Sequence, residues 1–366
     1  MDIEKKQQEQ TAGDNATQNQ IIGDNSSQIV VDTQVNTFNQ TNVTVTGVPY
    51  SDIISLTTTV SAQVTQQAVA MCTQVAETTV RTRMEAFKNV WEPRITGMEN
   101  VVNSLIDPKF HFMIRDANIT AAKSSRNEDL EMLAELLACH IEKGKDIKID
   151  AGINRAISIV NEVDLDSLCA LTVVLAILNI IPTAGKLREG LNTLNRLYSK
   201  LLTIDLPKGV AWVDNLSVVG AINFLDGNFN KLDNILSQTL NGYICTGVIA
   251  GTEEYRQVIE ILEKNGLSKD YLVINECLPD YLCLPLPYTG KLKPELKPIL
   301  DLYSKDKKLQ DTAKNNFMNM WDSYEVLKKI KEWFNNIPVY FRINSVGKAL
   351  AQTNAKRCYP EFPDLI

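Results

Sequence analysis

The chain has 366 residues, a formal net charge of −7, two histidines and seven cysteines. That length carries two or three modules with cores of their own, and the lack of any run of Lys and Arg that could neutralise phosphates argues against nucleic acid as a partner. The cysteines, Cys72, Cys139, Cys169, Cys245, Cys277, Cys283 and Cys358, are scattered, odd in number and without a C-x-x-C pair, which reads as reduced thiols in a cytoplasm.

The opening MDIEKKQQEQ has no apolar run of the kind a secretory signal needs, so cytoplasmic retention is expected. Residues 13–31, GDNATQNQIIGDNSSQIVV, then say nearly the same thing twice at a spacing of ten: Gly13-Asp14-Asn15 with Gln18, and Gly23-Asp24-Asn25 with Gln28. Such a segment cannot bury enough apolar surface alone. Stacked between copies, its Asn and Gln could form hydrogen-bonded ladders, although Asp14, Asp24 and Asp32 would repel in an endless stack and favour a small closed assembly. From Ile29 the pattern alternates, with Val31, Thr33, Val35, Thr37, Thr41, Val43 and Val45 on one face, which predicts strand with a break near Asn39.

After the turn GVPY the period changes. Apolar residues recur at Ile53, Leu56, Val60, Val64, Ala68, Met71 and Val75, and Ser51 is placed to cap a helix. Residues 53–76 contain no charge at all, which is unusual for a helix whose outer face meets water. Its Thr-rich part has modest helix propensity and should lean on neighbours, copies of itself being the nearest available. Ordinary charges return from Glu77, and a stop is expected at Trp91-Glu92 before Pro93.

A further helical piece is expected over 98–106. EDLEMLAELLACHIEKG closed by Gly144, DAGINRAISIVNEV, and DLDSLCALTVVLAIL with Asp164 or Asp166 as cap then predict a bundle over 108–205. The apolar run at 168–182 is shorter than the roughly 20 residues that span a bilayer and contains Asn179, so it reads as a buried core helix. Beyond it, TEEYRQVIEILEKNG and DSYEVLKKIKEWFNN read as helices, YLVINE and VYFRINS as short strands, and the prolines of LPLPYTGKLKP as a long loop.

Several of these stretches resemble known sequences. Residues 23–28 (GDNSSQ), the strand after them, Tyr50-Ser51-Asp52 and LIDPKF at 105–110 resemble an uncharacterised bacterial family found among mobile-element and phage-conflict genes. EDLEMLAELLACHI followed by INRAISIVNEVDLDSLCAL is similar to the helical domain of abortive-infection alpha-type proteins. Leu136-Leu137-Ala138 and residues 163–171 fill that pattern, with Cys139 and His140 where the domain more often has Asn or Ser and Ala. FRINSVGKALAQTN at 341–354 is similar to that family's C-terminal segment, which runs into a basic tail, here Lys356-Arg357. Gln20-Ile21-Ile22-Gly23 resembles bacterial amyloid-type signalling motifs. Together the resemblances imply antiphage defence of the abortive type.

Catalytic signatures are sparse. Cys139 and His140 are adjacent on one helix, so their side chains diverge by about 100° and cannot readily share a proton; a core cysteine beside a cation at a helix C-terminus is the better reading. His111 sits between aromatics. Cys277 and Cys283 lack a metal-like partner set, Asp164 and Asp166 read as caps, and no phosphate-loop, nucleophile-elbow or zinc-protease motif occurs.

The expected fold is mainly α with an N-terminal β assembly segment: a repeat and strand over 1–50, a helical stalk over 51–107, a helical bundle over 108–205, and an α-rich module with a few short strands over 206–366. The expected function is a homo-oligomeric antiphage protein acting by assembly, not an enzyme, and using no cofactor or metal. Oligomerisation is assigned to Gln20, Ile22, Gly23, Asn25, Gln28, Ile29, Val31, Val35, Val43, Val45, Ile53, Val60, Val64 and Met71. Its partners would be copies of itself and a phage-derived or co-encoded protein trigger, with membrane met only on activation. Two alternatives fit the same residues: a pore-forming effector lined by 53–76, and a phage or prophage structural adaptor.

Overall fold

The spacing that begins at Ile53 builds one helix of 46 residues, α1 (Tyr50–Ile95). The structure, a computed structural model, describes residues 50–365 apart from 145 and 228–229, and within 50–69 it describes the side chains of residues 63 and 66 alone. The expected β assembly segment therefore lies outside the described residues. The chain divides into two units, residues 1–78 and 79–366.

The stop expected before Pro93 does not occur, because α1 continues through Pro93 to Ile95. A proline removes one backbone hydrogen bond and crowds the carbonyl four residues back, but the last turn is anchored from outside the helix. Ile95 is buried, and the Arg94 guanidinium donates through Nε to Glu135 Oε2 at 2.6 Å.

In the second unit, short α2 (Val101–Leu105) leads to α3 (Pro108–Lys123), α4 (Asn127–Lys143), α5 (Ile147–Ile159), α6 (Leu165–Asn179) and α7 (Leu187–Leu201). Local chemistry sets several of the starts. Asp107 accepts from Lys109 N with Pro108 in the first turn, Asp146 accepts from Lys148 N and Ile149 N, and Asp164 accepts from Ser167 N, so Asp164 and not Asp166 is the cap. Residues 167–177 of α6 are all buried, and Asn179 turns its Nδ2 back to the Leu175 carbonyl at 2.8 Å. Among the described residues no helix is long and apolar enough to cross a membrane.

The remaining elements are α8 (Ala211–Val218), β1 (Ile222–Phe224), α9 (Leu232–Thr239), α10 (Glu253–Lys264), β2 (Val273–Ile274), β3 (Leu282–Cys283), α11 (Pro298–Asp301), α12 (Lys307–Asp322), α13 (Glu325–Asn335), β4 (Phe341–Ile343) and α14 (Ser345–Cys358). Two antiparallel pairs form. β1 lies against β4 with Asn223 opposite Arg342, and β2 lies against β3 with Val273 opposite Cys283. The fold is mainly helical, with these few short strands.

Helix α14 packs against α4, α5 and α6, which carries the C-terminal sequence back into the bundle. One apolar core thus includes residues from both sides of position 205, among them Phe87, Leu133, Ile157, Leu171, Trp321 and Leu350. A smaller cluster forms separately around α10, from Val258, Leu262, Leu284, Ile299 and Tyr303. Close approach at α14 depends on Gly347, where an added Cβ would lie 2.1 Å from the Ala221 carbonyl oxygen. Buried polar groups of α14 are paired: Asn354 Nδ2 donates to Thr172 Oγ1 at 2.9 Å, and Gln352 binds the backbone of Pro363 and Leu365. Lys356 and Arg357 are not a free basic tail. Lys356 pairs with Asp364 at 2.6 Å and Arg357 with Glu131 at 3.7 Å; burial works against the Lys356 charge, but Asp364 with Glu135 and Glu142 together outweigh it and hold the ammonium pKa above its ordinary value.

Candidate functional site

The uncharged stretch of α1 is the most distinctive feature that the sequence assigns to function. Gln63, Gln66 and every residue from Ala70 to Thr82 are exposed, on all sides of the helix. Met71 is 41% and Val75 66% exposed, and Cys72 between them is exposed. Burial begins at Arg83 and then follows the helix period through Ala86, Phe87, Val90, Trp91 and Ile95. Of the residues assigned to oligomerisation, Ile53, Val60, Val64 and Met71 all lie on α1, though only the side chain of Met71 is described. Gln20, Ile22, Gly23, Asn25, Gln28, Ile29, Val31, Val35, Val43 and Val45 lie outside the described residues.

The structure gives His140 a partner that the sequence reading did not find. Asp150, in the first turn of α5, places Oδ1 2.6 Å from His140 Nδ1, and Lys109 of α3 pairs with Oδ2 of the same carboxylate. The Phe110 ring stacks on the imidazole with 5.5 Å between centroids and 6° between planes. An oriented imidazole and carboxylate are the parts of an acid–base dyad. Here, however, His140 is 7% and Asp150 3% exposed, and the aromatic lid leaves little room for a reactant. The cluster is built as a clamp joining α3, α4 and α5.

Cys139 has no part in that clamp. Burial pushes its thiol up to about 11, against the pull of Lys143 and Lys356, so it remains protonated and weakly nucleophilic at neutral pH. Cys169 is raised by burial to about 11 and Cys277 to about 12. Cys245 is raised by its hydrogen bond to the Cys283 thiol together with burial. Among the described residues no group of three or more His, Cys, Asp or Glu side chains is placed to hold a metal ion. His111 is exposed on α3, apart from the clamp.

Asp150 could have been suspected from its place one turn inside a predicted helix, ten residues after His140. Spacing alone does not separate that role from a solvent-facing acid in the first turn.

No curated protein and no solved structure matches the chain. A family model matches residues 47–365, leaving the N-terminal repeat outside the matched region. With well over half of its length matched, the chain belongs to that family, an uncharacterised one.

Proposed function

We propose that the protein is a homo-oligomer that works by assembly and not by catalysis, in antiphage defence of the abortive type and in the cytoplasm, with a phage-derived or co-encoded protein as trigger. The observation that supports assembly is the uncharged stretch of α1, exposed at Gln63, Gln66 and from Ala70 onward where its side chains are described. This stretch lacks the charges that a solvated outer face usually carries, and each Val, Ile or Met stripe residue fully buried between copies contributes roughly 1.5–3 kcal/mol.

The stripe has a further property. Ile53, Val64 and Val75 recur at a spacing of eleven, as do Val60 and Met71. An eleven-residue period corresponds to about 3.67 residues per turn, which keeps the stripe on one side of a straight or slightly right-handed bundle and disfavours a left-handed coiled coil. The repeat and strand over 13–46 would add a second, β-type contact between the same copies. The defence assignment rests on the resemblance in the helical domain at 128–171.

Mass photometry of the full-length protein beside a chain beginning at Ser51 tests the assembly reading. A loss of mass in the shorter chain, with its helical circular dichroism retained, is expected. An unchanged mass distribution would place the assembly contacts elsewhere. Expression with and without phage infection tests the defence assignment separately.

A further inference from the structure

The body of the protein carries a cavity of about 500 Å³ where the start of α5 meets β4 and the start of α14. Three cations line it, Lys148 from α5, Arg342 from β4 and Lys348 from α14, and no acidic residue does. All three are exposed, and among the described residues none of them makes an ion pair, although fourteen such pairs occur elsewhere, most of them involving Lys or Arg. In a chain of net charge −7, gathering three cations without a counter-charge is a local cost, since like charges disfavour one another.

The fold holds these three groups in place. An added Cβ at Gly152 would lie 2.7 Å from the Ser345 carbonyl oxygen, so α5 and the first turn of α14 are pressed together there. Lys148 lies one turn before Gly152, and Lys348 one turn after Ser345, which brings both to the flanks of that contact. Arg342 is the outward residue of β4, between buried Phe341 and Ile343. Asn344, between β4 and α14, fixes the start of α14 against β1: its Oδ1 accepts from Val346 N and Gly347 N, and its Nδ2 donates to Gly220 O and Asn223 Oδ1, both at 2.9 Å. The first amides of α14 are thereby occupied by their own cap, and recognition falls to the three side chains. The two acids nearest Lys148 along the chain are both engaged: Asp146 caps α5 through Lys148 N and Ile149 N, and Asp150 holds His140 and Lys109. A second cavity among the described residues, by Tyr271 and Tyr288, includes Glu295 beside its lysines and so carries its own counter-charge.

We infer that the Lys148–Arg342–Lys348 cavity binds a phosphate monoester or diphosphate group bearing about two to three negative charges, which match its three cations. The volume lies within the range of about 300–1,000 Å³ typical of small-molecule sites, and Arg342 supplies the planar fork suited to phosphate oxygens. Ile149 and Ala349 offer an apolar wall for the body of such an ester. The same group is presented by a free phosphorylated small molecule and by a phospholipid headgroup.

Titration calorimetry with pyrophosphate and with ADP, and flotation with vesicles containing phosphatidic acid, separate these sources. The full-length protein should bind at least one probe saturably, at one site per chain, and more weakly as salt rises. Arg342→Glu combined with Lys348→Glu should weaken that binding by roughly tenfold to a hundredfold, as expected for losing charge-assisted hydrogen bonds. Lys200→Glu, on an exposed turn of α7, should leave it unchanged. The milder pair Arg342→Gln and Lys348→Gln should weaken binding without lowering the melting temperature, since a repulsive cluster has been relieved. Absence of saturable binding by all three probes, or binding indifferent to the glutamate substitutions, overturns the assignment.

Discussion

His140 and Asp150 meet at 2.6 Å across the turn between α4 and α5, and both are buried. With Lys109 on the second carboxylate oxygen, this contact sets how three helices of the bundle pack, which makes it the natural place to separate structural from catalytic roles.

Removing one partner of a buried, hydrogen-bonded pair leaves the other unsatisfied. Asp150→Asn and His140→Ala are therefore expected to lower unfolding stability by about 2–4 kcal/mol each, less than additively in the double variant. Urea denaturation provides the measurement. At a temperature where both variants and Cys139→Ser remain folded, defence or toxicity should persist; loss of activity in the folded His140 and Cys139 variants would revive an enzymatic reading.

The stripe of α1 should not tolerate charge. Val60→Lys or Val64→Asp must desolvate an unpaired charge between copies and is expected to dissociate the assembly, whereas Ser199→Lys, on an exposed turn of α7, should not. Sedimentation velocity reads the difference. Normal assembly by both stripe variants would mean that α1 is solvated and contributes no interface.

The thiols differ in reach. Cys72 is exposed, Cys139, Cys169, Cys277 and Cys283 are buried, and Cys245 and Cys358 are intermediate. One thiol per chain is expected to react fast with a disulfide reagent at neutral pH, and Cys72→Ser should abolish that phase. If α1 helices pair in parallel, mild oxidation should also yield a Cys72-linked dimer, while a monomeric product throughout would count against parallel pairing.

A pH dependence follows from the buried thiols. Folding raises Cys139 from 9.0 to about 11, so its contribution, on the order of 2–3 kcal/mol at most, is fully present below pH 9 and is lost as pH rises through about 11. Thermal stability should therefore fall more steeply above pH 9 in the wild type than in Cys139→Ala. Parallel alkaline slopes in the two proteins would show that the thiol does not govern this limb.

Lipid separates the stalk from the pore. Thr57, Thr58, Thr59, Gln63, Gln66 and Gln67 leave α1 a narrow apolar face, so resting protein is expected to release no dye from anionic vesicles. Prompt, concentration-dependent leakage without a trigger would favour a pore, and Gln63→Glu should then alter its ion selectivity.

Much of the helical body is legible one residue at a time. Asp107, Asp146 and Asp164 mark their helices because a cap needs only its own next three residues, and α6 announces its burial by being apolar on every side. Pro93 misleads for the complementary reason: the local rule says stop, and contacts of Arg94 and Ile95 with distant residues carry the helix onward. Helix α14 is harder still to read, because polar Gln352 and Asn354 are buried only by virtue of partners far along the chain, Pro363 and Leu365 for Gln352 and Thr172 for Asn354.

The sequence by itself determined the mainly helical class, the chargeless stretch at 53–76, the capping aspartates and the absence of the familiar catalytic motifs, all of which depend on neighbours within about one helical turn. Tertiary structure alone decided that Asp150 answers His140, that Lys356 and Arg357 pair inward, and that Lys148, Arg342 and Lys348 share one cavity although nearly two hundred residues separate the first from the others. Charge and hydrogen bonding act through space over a few ångströms, and no local periodicity encodes which distant turns the fold will bring within that range.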